Sequence, residues 1–449
     1  MKNVYLCTRI MKTDADNRPQ PLVSFILTDY NLPADMLCEC IDSILRLSLR
    51  PDEREIIIVD DGSDNSPMND LLRYGDDIVY VRQKNGGVST ARNTGMEMAK
   101  GEYIQLIDGD DRLIQTPYEH CLDIIRNHRD ADVVTFDFTH NPQEKAACNT
   151  LGKKSGPELM RTENLRGSAC CCLFRQAVRS QLSFTPGIEY GEDEEFTPQL
   201  LIRAETVYTT DAKAYFYRER PTSAVHQNDA TRIDKRLADH LTVITRLNEL
   251  ADRRPYEERQ ALQRRVAQLT MDHIYNTIIL TRSEDRLNDT LETLRQQNLF
   301  PLPDHSYSTK YTWFRRMTNT RMGRKLLLTA LPGLFYCKRA DYFTGLGLLI
   351  GFIGGAVLEE KKVRFENTKS IVRCILRMVG GAVLFFGLNT LLKLPFSKEF
   401  LDGGSYAALL VRGARYAVIA FLEFGVYPIL FRYTARIGKK ESGAAALNG

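Results

Sequence analysis

Two short apolar runs in this chain each stop on a pair of carboxylates. Residues 55–59 read EIIIV and lead into Asp60-Asp61-Gly62-Ser63; residues 103–107 read YIQLI and lead into Asp108-Gly109-Asp110-Asp111. Apolar runs of this length, rich in β-branched residues, describe strands covered on both faces. Residues 23–28 (VSFILT), 78–82 (IVYVR) and 133–138 (VVTFDF) have the same character. Between the runs, Leu37, Ile41, Ile44 and Leu45 recur at helical spacing, and residues 91–100 read as a helix that stops before Gly101. This alternation predicts an α/β fold with a mainly parallel sheet and helices on both faces. Ligands of such sheets bind beyond the carboxyl ends of the strands, where both acidic turns lie.

Asp108 and Asp110 sit one residue apart on a strand-to-loop turn and can point at one divalent cation. Hard oxygen ligands suit Mg²⁺ or Mn²⁺, and such an ion would stabilise the charge on a departing diphosphate. Gly109 would let the backbone approach closely. A plain exposed turn accounts for the same residues. Asp60 and Asp61 read either as a strand-ending turn or as acceptors for a base or ribose. Tyr30, just past the first strand, could stack on a nucleobase. Glu192, Asp193, Glu194 and Glu195 begin a helix, where acids favour the positive end of the dipole.

The remaining chain bounds the function. Sixty basic and 57 acidic residues leave a net charge of +3 in 449 residues, which gives no general reason to expect a nucleic-acid partner. Ten cysteines fall at irregular spacing, three of them adjacent at Cys170, Cys171 and Cys172, without the pattern of a zinc site. They are expected to be buried, reduced thiols. Residues 1–21 are polar throughout and unlike a secretory signal, which predicts that the α/β domain after them stays in the cytoplasm. The expected order is an extension over residues 1–21, the α/β domain over 22–230, and a helical segment packed on it over 231–300. A basic linker over 301–325, a membrane-associated region over 326–440 and a disordered tail over 441–449 complete it.

Residues 342–358 and 378–392 are uncharged, and residues 413–431 are broken only by Arg415 and Glu423. Each approaches the length of a spanning helix. Lys361, Lys362, Arg364, Lys369, Arg373 and Arg377 follow the first stretch, and Arg432, Arg436, Lys439 and Lys440 follow the third. Positive-inside logic places both groups in the cytoplasm. The second and third stretches would then cross fully. The first would dip in and return, pair with residues 326–337, or lie in the interface, giving an even number of crossings.

The ordered series VSFILTDYN, IIIVDDGS, NGGVSTARNTG, AKGEYIQLIDGDD and YGEDEEF resembles the family 2 glycosyltransferases of the GT-A fold, over residues 21–226. The resemblance implies an inverting, metal-dependent sugar transfer from a nucleotide-sugar donor, a UDP-sugar by family frequency, to a glycan or lipid-linked acceptor. The setting it implies is bacterial surface polysaccharide assembly at the inner membrane. It assigns Thr28, Tyr30, Asp60, Asp61, Arg92, Arg218, Arg220 and Ser223 to donor binding, together with Asp108. Asp108 and Asp110 would hold Mn²⁺ or Mg²⁺, with His226 a further candidate ligand, and Asp193 would be the catalytic base. Many relatives carry Ser where this chain has Gly109, a change expected to be tolerated. No Gln-x-x-Arg-Trp motif follows His226, the sole tryptophan being Trp313, so one sugar per encounter is expected. The tail resembles the last membrane helices of phosphatidic-acid-phosphatase-like proteins. All seven histidines lie at or before His305, so that phosphatase chemistry is absent and the tail reads as an anchor. The competing readings are a non-catalytic, membrane-tethered nucleotide-sugar-binding protein and a nucleotidyltransferase.

Overall fold

A computed structural model describes residues 5–6, 20–141, 143, 148–220, 229–305, 307–336, 340–363, 370–402 and 405–431. It divides into two compact units, Met1–Asn319 and Thr320–Gly449.

In the first unit, one mixed sheet contains β1 (Tyr5–Leu6), β2 (Val23–Asp29), β3 (Arg54–Asp60), β4 (Val79–Arg82), β5 (Tyr103–Asp108), β6 (Arg112–Leu113), β7 (Val133–Thr139), β8 (Thr150–Lys154), β9 (Cys172–Arg175) and β10 (Val207–Phe216). The order is β1-β4-β3-β2-β5-β9-β7-β10-β6, with β8 paired to β10. Phe25, Ile26, Leu27, Ile58, Val59 and Leu106 have no exposed surface, as continuous apolar strands covered on both faces require. The helices α1 (Ala34–Leu45), α2 (Met68–Leu71), α3 (Val88–Met98), α4 (Gln115–Asn127), α5 (Gly156–Thr162), α6 (Gln176–Arg179) and α7 (Glu192–Leu201) complete this α/β domain.

Register builds the functional edge. β4, β3, β2 and β5 are parallel neighbours, with Asp29 opposite Asp60 and Thr28 opposite Asp108. The two acidic turns therefore flank the end of one strand. The parallel expectation holds across these four strands and is interrupted by β9, which runs antiparallel between β5 and β7. Four residues, CLFR, carry too little periodicity to announce that strand. Because β9 is antiparallel to both of its neighbours, β7 and β10 again point the same way as β5, and their carboxyl ends reach the same edge. The cysteine run falls where β9 begins, and its three thiols are buried and unpaired by disulfides. The N-terminal extension is not wholly apart, since β1 adds an antiparallel edge to β4.

Three long helices, α8 (Ala230–Asp252), α9 (Tyr256–Thr281) and α10 (Glu284–Gln296), form a further layer, α8 packing along α9 and touching α7. Asp239 of α8 accepts from the backbone N–H of Glu189 at 2.9 Å and from Lys235 Nζ at 2.6 Å, which ties the layer to the approach to α7. Residues 309–318, expected as linker, form α11 (Thr309–Thr318) instead. Tyr311 and Phe314, three apart on one helix face, are buried, and Phe314 packs on Tyr275 of α9.

The second unit comprises α12 (Arg321–Tyr336), α13 (Ala340–Leu358), α14 (Ile371–Leu391), α15 (Lys398–Asp402) and α16 (Tyr406–Phe421). The spans Ala340–Val363, Ile371–Leu391 and Ala407–Phe431 are long and apolar enough to cross a membrane by length and composition. The first is one unbroken helix through a terminal π turn, so it does not dip and return. α13 and α16 meet backbone to backbone. A Cβ at Gly347 would stand 2.1 Å from the Gly413 carbonyl oxygen, and one at Gly351 would stand 2.2 Å from that of Ala417. The residue numbers rise together, so these helices run parallel. α14 runs opposite, its Arg377 carbonyl accepting from Tyr427 Oη at 3.0 Å and its Asn389 meeting Arg415. The basic groups Lys361–Lys362 and Arg373–Arg377 thus share one end of the bundle with Phe431, over which Arg377 stacks. None of α14 is buried, the burial expected of a helix wetted by lipid.

Candidate active site

Arg92 of α3 is 4% exposed and lies at the centre of the carboxyl edge. Its Nη2 donates to Asp108 Oδ1 at 2.9 Å, while Nη1 donates to Asp193 Oδ1 at 2.7 Å and Glu192 Oε1 at 3.1 Å. Its guanidinium stacks on Phe184 at 5.2 Å. Burial alone would disfavour the charge, but Asp193 and Asp108 outweigh it and hold the pKa above its ordinary value. One planar cation therefore joins the turn after β5 to the first turn of α7.

The α7 carboxylates divide by partner. Asp193 Oδ2 accepts from the backbone N–H of Ala169 at 3.0 Å. Burial raises the Asp193 pKa, against the pull of Arg92. Glu192 is pushed up to about 7 by burial and then by the Asp193 charge. A carboxylate raised towards neutrality is the better proton acceptor. Glu194 and Glu195 turn away and pair with Arg265 of α9 and Arg246 of α8, the latter at 2.5 Å. They dock the helix layer.

On the other side, Asp110 Oδ2 lies 2.7 Å from Arg220 Nε. Burial raises the Asp110 pKa, and the neighbouring Asp108 charge adds to it. Asp111 is pushed up to about 8 by burial and then by Asp108. It accepts from Tyr215 Oη and from the Arg218 backbone N–H, both at 2.8 Å. Arg218 also donates from Nε to the Asp110 carbonyl at 2.8 Å and pairs with Glu39 at 2.6 Å. Gly109 is sterically required. A Cβ there would stand 2.7 Å from the Thr28 carbonyl oxygen, so Ser at this position would force the turn to move.

Other candidates are placed differently. Thr28 Oγ1 reaches Asp108 at 3.4 Å, and Tyr30 is 52% exposed beside it in the chain, an open face for stacking. Asp60 is wholly buried and accepts from Tyr80 Oη at 2.6 Å and the Ser63 N–H at 2.7 Å. Asp61 accepts from Gln83 Nε2 and the Gly87 N–H, both at 2.7 Å. Both organise loops in this structure, and Asp61 fixes the turn that opens α3 and so aims Arg92. Ser223 and His226 lie outside the described residues.

Sequence reasoning overlooked Tyr215. Its hydroxyl accepts from the Asp108 N–H at 3.1 Å while donating to Asp111, so it braces the whole acidic turn. Its only signal is a place at the head of the aromatic run Tyr215-Phe216-Tyr217 that closes β10. Cys170 was equally unannounced. Its Sγ lies 3.8 Å from Asp108 Oδ2, and burial raises its pKa well above the ordinary thiol value, which keeps it protonated.

Among the described residues, no group of three or more His, Cys, Asp or Glu is arranged to hold a metal. Asp108 and Asp110 nevertheless fit a hard divalent ion. They are oxygen donors whose mutual repulsion contributes to the raised Asp110 pKa, a conflict that added positive charge relieves.

Residues 24–182 match the family described as Glycosyl transferase family 2, and residues 343–439 match the PAP2 superfamily phosphatase, transmembrane extension. Glycosyltransferase GlyG of Streptococcus pneumoniae is 38% identical over 226 residues, 45% of this chain and 72% of its own. The uncharacterized glycosyltransferase EpsJ of Bacillus subtilis is 33% identical over 224 residues, 45% of this chain and 62% of its own. The minor teichoic acid biosynthesis protein GgaB of Bacillus subtilis is 26% identical over 206 residues, 44% of this chain and 23% of its own. The chain thus spans less than two thirds of the length of EpsJ and GgaB.

Proposed function

The chain belongs to the family 2 glycosyltransferases, and from that premise we propose an inverting, metal-dependent transfer of a sugar from a nucleotide-sugar donor. The observation that carries this reading is Arg92, whose guanidinium touches both Asp108 and Asp193. It spaces a donor-side carboxylate from an acceptor-side one by a single side chain.

In this mechanism Asp193 takes the proton from the attacking acceptor hydroxyl, a poor nucleophile until it loses that proton. Arg92 holds Asp193 in place and lowers the cost of keeping it ionised before the attack. Thr28 and Tyr30 contact the nucleoside, while Asp61 keeps the α3 loop in shape around it. Arg220, with Ser223 as a further candidate, would contact the diphosphate and supply positive charge as it leaves. A Mn²⁺ or Mg²⁺ ion held by Asp108 and Asp110, with His226 as a candidate third ligand, would neutralise the departing diphosphate. Base and leaving group on opposite sides of the anomeric carbon describe one in-line displacement, which inverts configuration.

The acceptor we infer is a glycan or lipid-linked sugar of bacterial surface polysaccharide assembly. The teichoic acid role in GgaB's name and the apolar tail support that setting. The tail would hold the enzyme at the inner membrane, with the catalytic unit in the cytoplasm. A UDP-sugar is the favoured donor.

The test uses the full chain in detergent. Thermal shifts are measured with UDP, GDP, ADP, CMP and dTDP, each with and without Mn²⁺, for wild type and Asp110→Asn. A manganese-dependent shift for one nucleotide, lost in the variant, is the expected result. At a hundred times its dissociation constant a ligand stabilises by about 2.7 kcal/mol, a visible shift. A folded protein that responds to none of them overturns the proposal.

A further inference from the structure

The second unit holds one buried and one half-buried arginine that its own described residues leave without counter-ions. Arg412 and Arg415 lie on α16 inside the apolar span Ala407–Phe431. Arg415 is 7% exposed, and its Nε is buried without a partner. Its Nη2 donates to Asn389 Oδ1 of α14 at 2.7 Å and approaches the Asn389 carbonyl at 3.4 Å. Arg412 Nε donates to Thr344 Oγ1 of α13 at 2.9 Å, and its guanidinium lies 6.0 Å from the Tyr416 ring centre. Among the described residues, neither arginine is within 4.0 Å of a carboxylate. Three helices thus converge on two guanidinium groups, and every side chain that meets them through a hydrogen bond is neutral.

Arginine inside a membrane span is costly unless an anion answers it. Three and four residues apart on a helix are neighbours, so the two cations also repel. Depth identifies the missing partner. Arg412 and Arg415 stand about 8 and 12 Å along the helix from Ala407, at 1.5 Å per residue. Thr344 and Asn389 are within about 6 Å of the same end of their helices, Ala340 and Leu391. In a bilayer whose surface meets these helix ends, that level would lie just beneath it, where arginine side chains reach towards lipid headgroups. Phosphate oxygens accept from a guanidinium in the bidentate geometry that Asn and Thr leave unfilled.

We propose that Arg412 and Arg415, with Thr344 and Asn389, form a binding site for the phosphate of a lipid headgroup. The site rests on residence of this unit in a bilayer, as proposed for the apolar tail, but not on the transfer reaction. A phosphate monoester carried on acyl or polyprenyl chains is the chemistry it would take. Chain and headgroup would enter together, the apolar part lying along the exposed surface of α14.

The full chain is reconstituted in nanodiscs of phosphatidylcholine containing a minor share of phosphatidic acid, and retained lipids are counted by native mass spectrometry. Wild type is expected to retain phosphatidic acid about tenfold over its bulk share, equivalent to about 1.4 kcal/mol. The Arg412→Gln/Arg415→Gln variant should retain lipids in the bulk ratio. Arg412→Gln alone removes the less buried arginine and should reduce retention, should the double variant fail to fold. Arg373→Gln, at the opposite end of the bundle, should match wild type. Equal retention by wild type and the Arg412 and Arg415 variants overturns the site. So does protection by inorganic phosphate in detergent without any preference for phosphatidic acid, which would assign it to free phosphate. Carbonate extraction separates the premises. Wild type released from membranes refutes the bilayer reading itself, whereas wild type that remains but shows no lipid preference refutes only the site.

Discussion

The two units solve the same electrostatic problem in opposite ways. The catalytic unit buries arginines against carboxylates, Arg92 with Asp108 and Asp193 and Arg265 with Glu194. The membrane unit buries Arg415 against a neutral amide. In the first, carboxylates outnumber the guanidinium groups at the sheet edge, and the pKa values of Asp110, Asp111, Glu192 and Asp193 rise; in the second, positive charge is in excess. The contrast teaches that each unit is incomplete in the sign of charge its proposed ligand would bring: a divalent cation at one, a lipid phosphate at the other. Packing differs as well. Large apolar side chains fill the sheet core, whereas α13 and α16 touch through glycine.

The sharpest way to break the comparison is Arg92→Met. It keeps the volume and strands three carboxylates without their cation. Loss of a buried pair's partner costs about 3–5 kcal/mol, so the unfolding midpoint of the first unit should fall and sugar transfer should vanish. Retained activity would mean that Arg92 is not the organising charge. Asp193→Asn should reduce the transfer rate by roughly 10²–10⁴-fold while the thermal response to nucleotide and Mn²⁺ stays as in wild type. An equal loss in nucleotide binding would move Asp193 to the donor side. In the membrane unit, Gly351→Leu should destabilise the α13–α16 contact by about 1–3 kcal/mol, read as faster proteolysis of the connection between α13 and α14. Unchanged protection would show that the glycine contact does not hold the bundle.

The smallest effects come from titration. Burial lowers the pKa of His240 and of His273 to about 4, with repulsion from Arg236 adding at His240 and from His240 adding at His273. A depressed folded value means stability present above the unfolded value of about 6.5 and lost as pH falls towards 4. His273→Leu should flatten that acid limb. Glu192 works the other way: its raised pKa of about 7 gives stability present below the ordinary carboxylate range and lost as pH rises to 7. Glu192→Gln should therefore help most above pH 7. Denaturant midpoints from pH 4 to 8 check both limbs.

Much of the edge could be read from the chain because strand periodicity and acidic turns are local signals. Val23–Asp29, Arg54–Asp60 and Tyr103–Asp108 end where the apolar runs end. What could not be read was the pairing. Nothing near Arg92 in sequence reveals Asp193, 101 positions on, and nothing in IIIVDDGS shows that Asp60 would be spent on Tyr80. β9 stayed hidden because four residues show no period, and α11 because prolines and basic residues masked Tyr311 and Phe314. For the bundle, hydropathy found the spans, but their directions required the glycine contacts.

The turn between the two metal-side aspartates has an evolutionary consequence. With the Thr28 carbonyl pressed where a Cβ would be, position 109 is not free to drift to serine by one substitution. A relative that carries serine is expected to hold the end of the strand equivalent to β2 further out. The identity of this residue and the path of a strand some eighty positions earlier should therefore be inherited as a pair, and transplanting either one alone between relatives should fail.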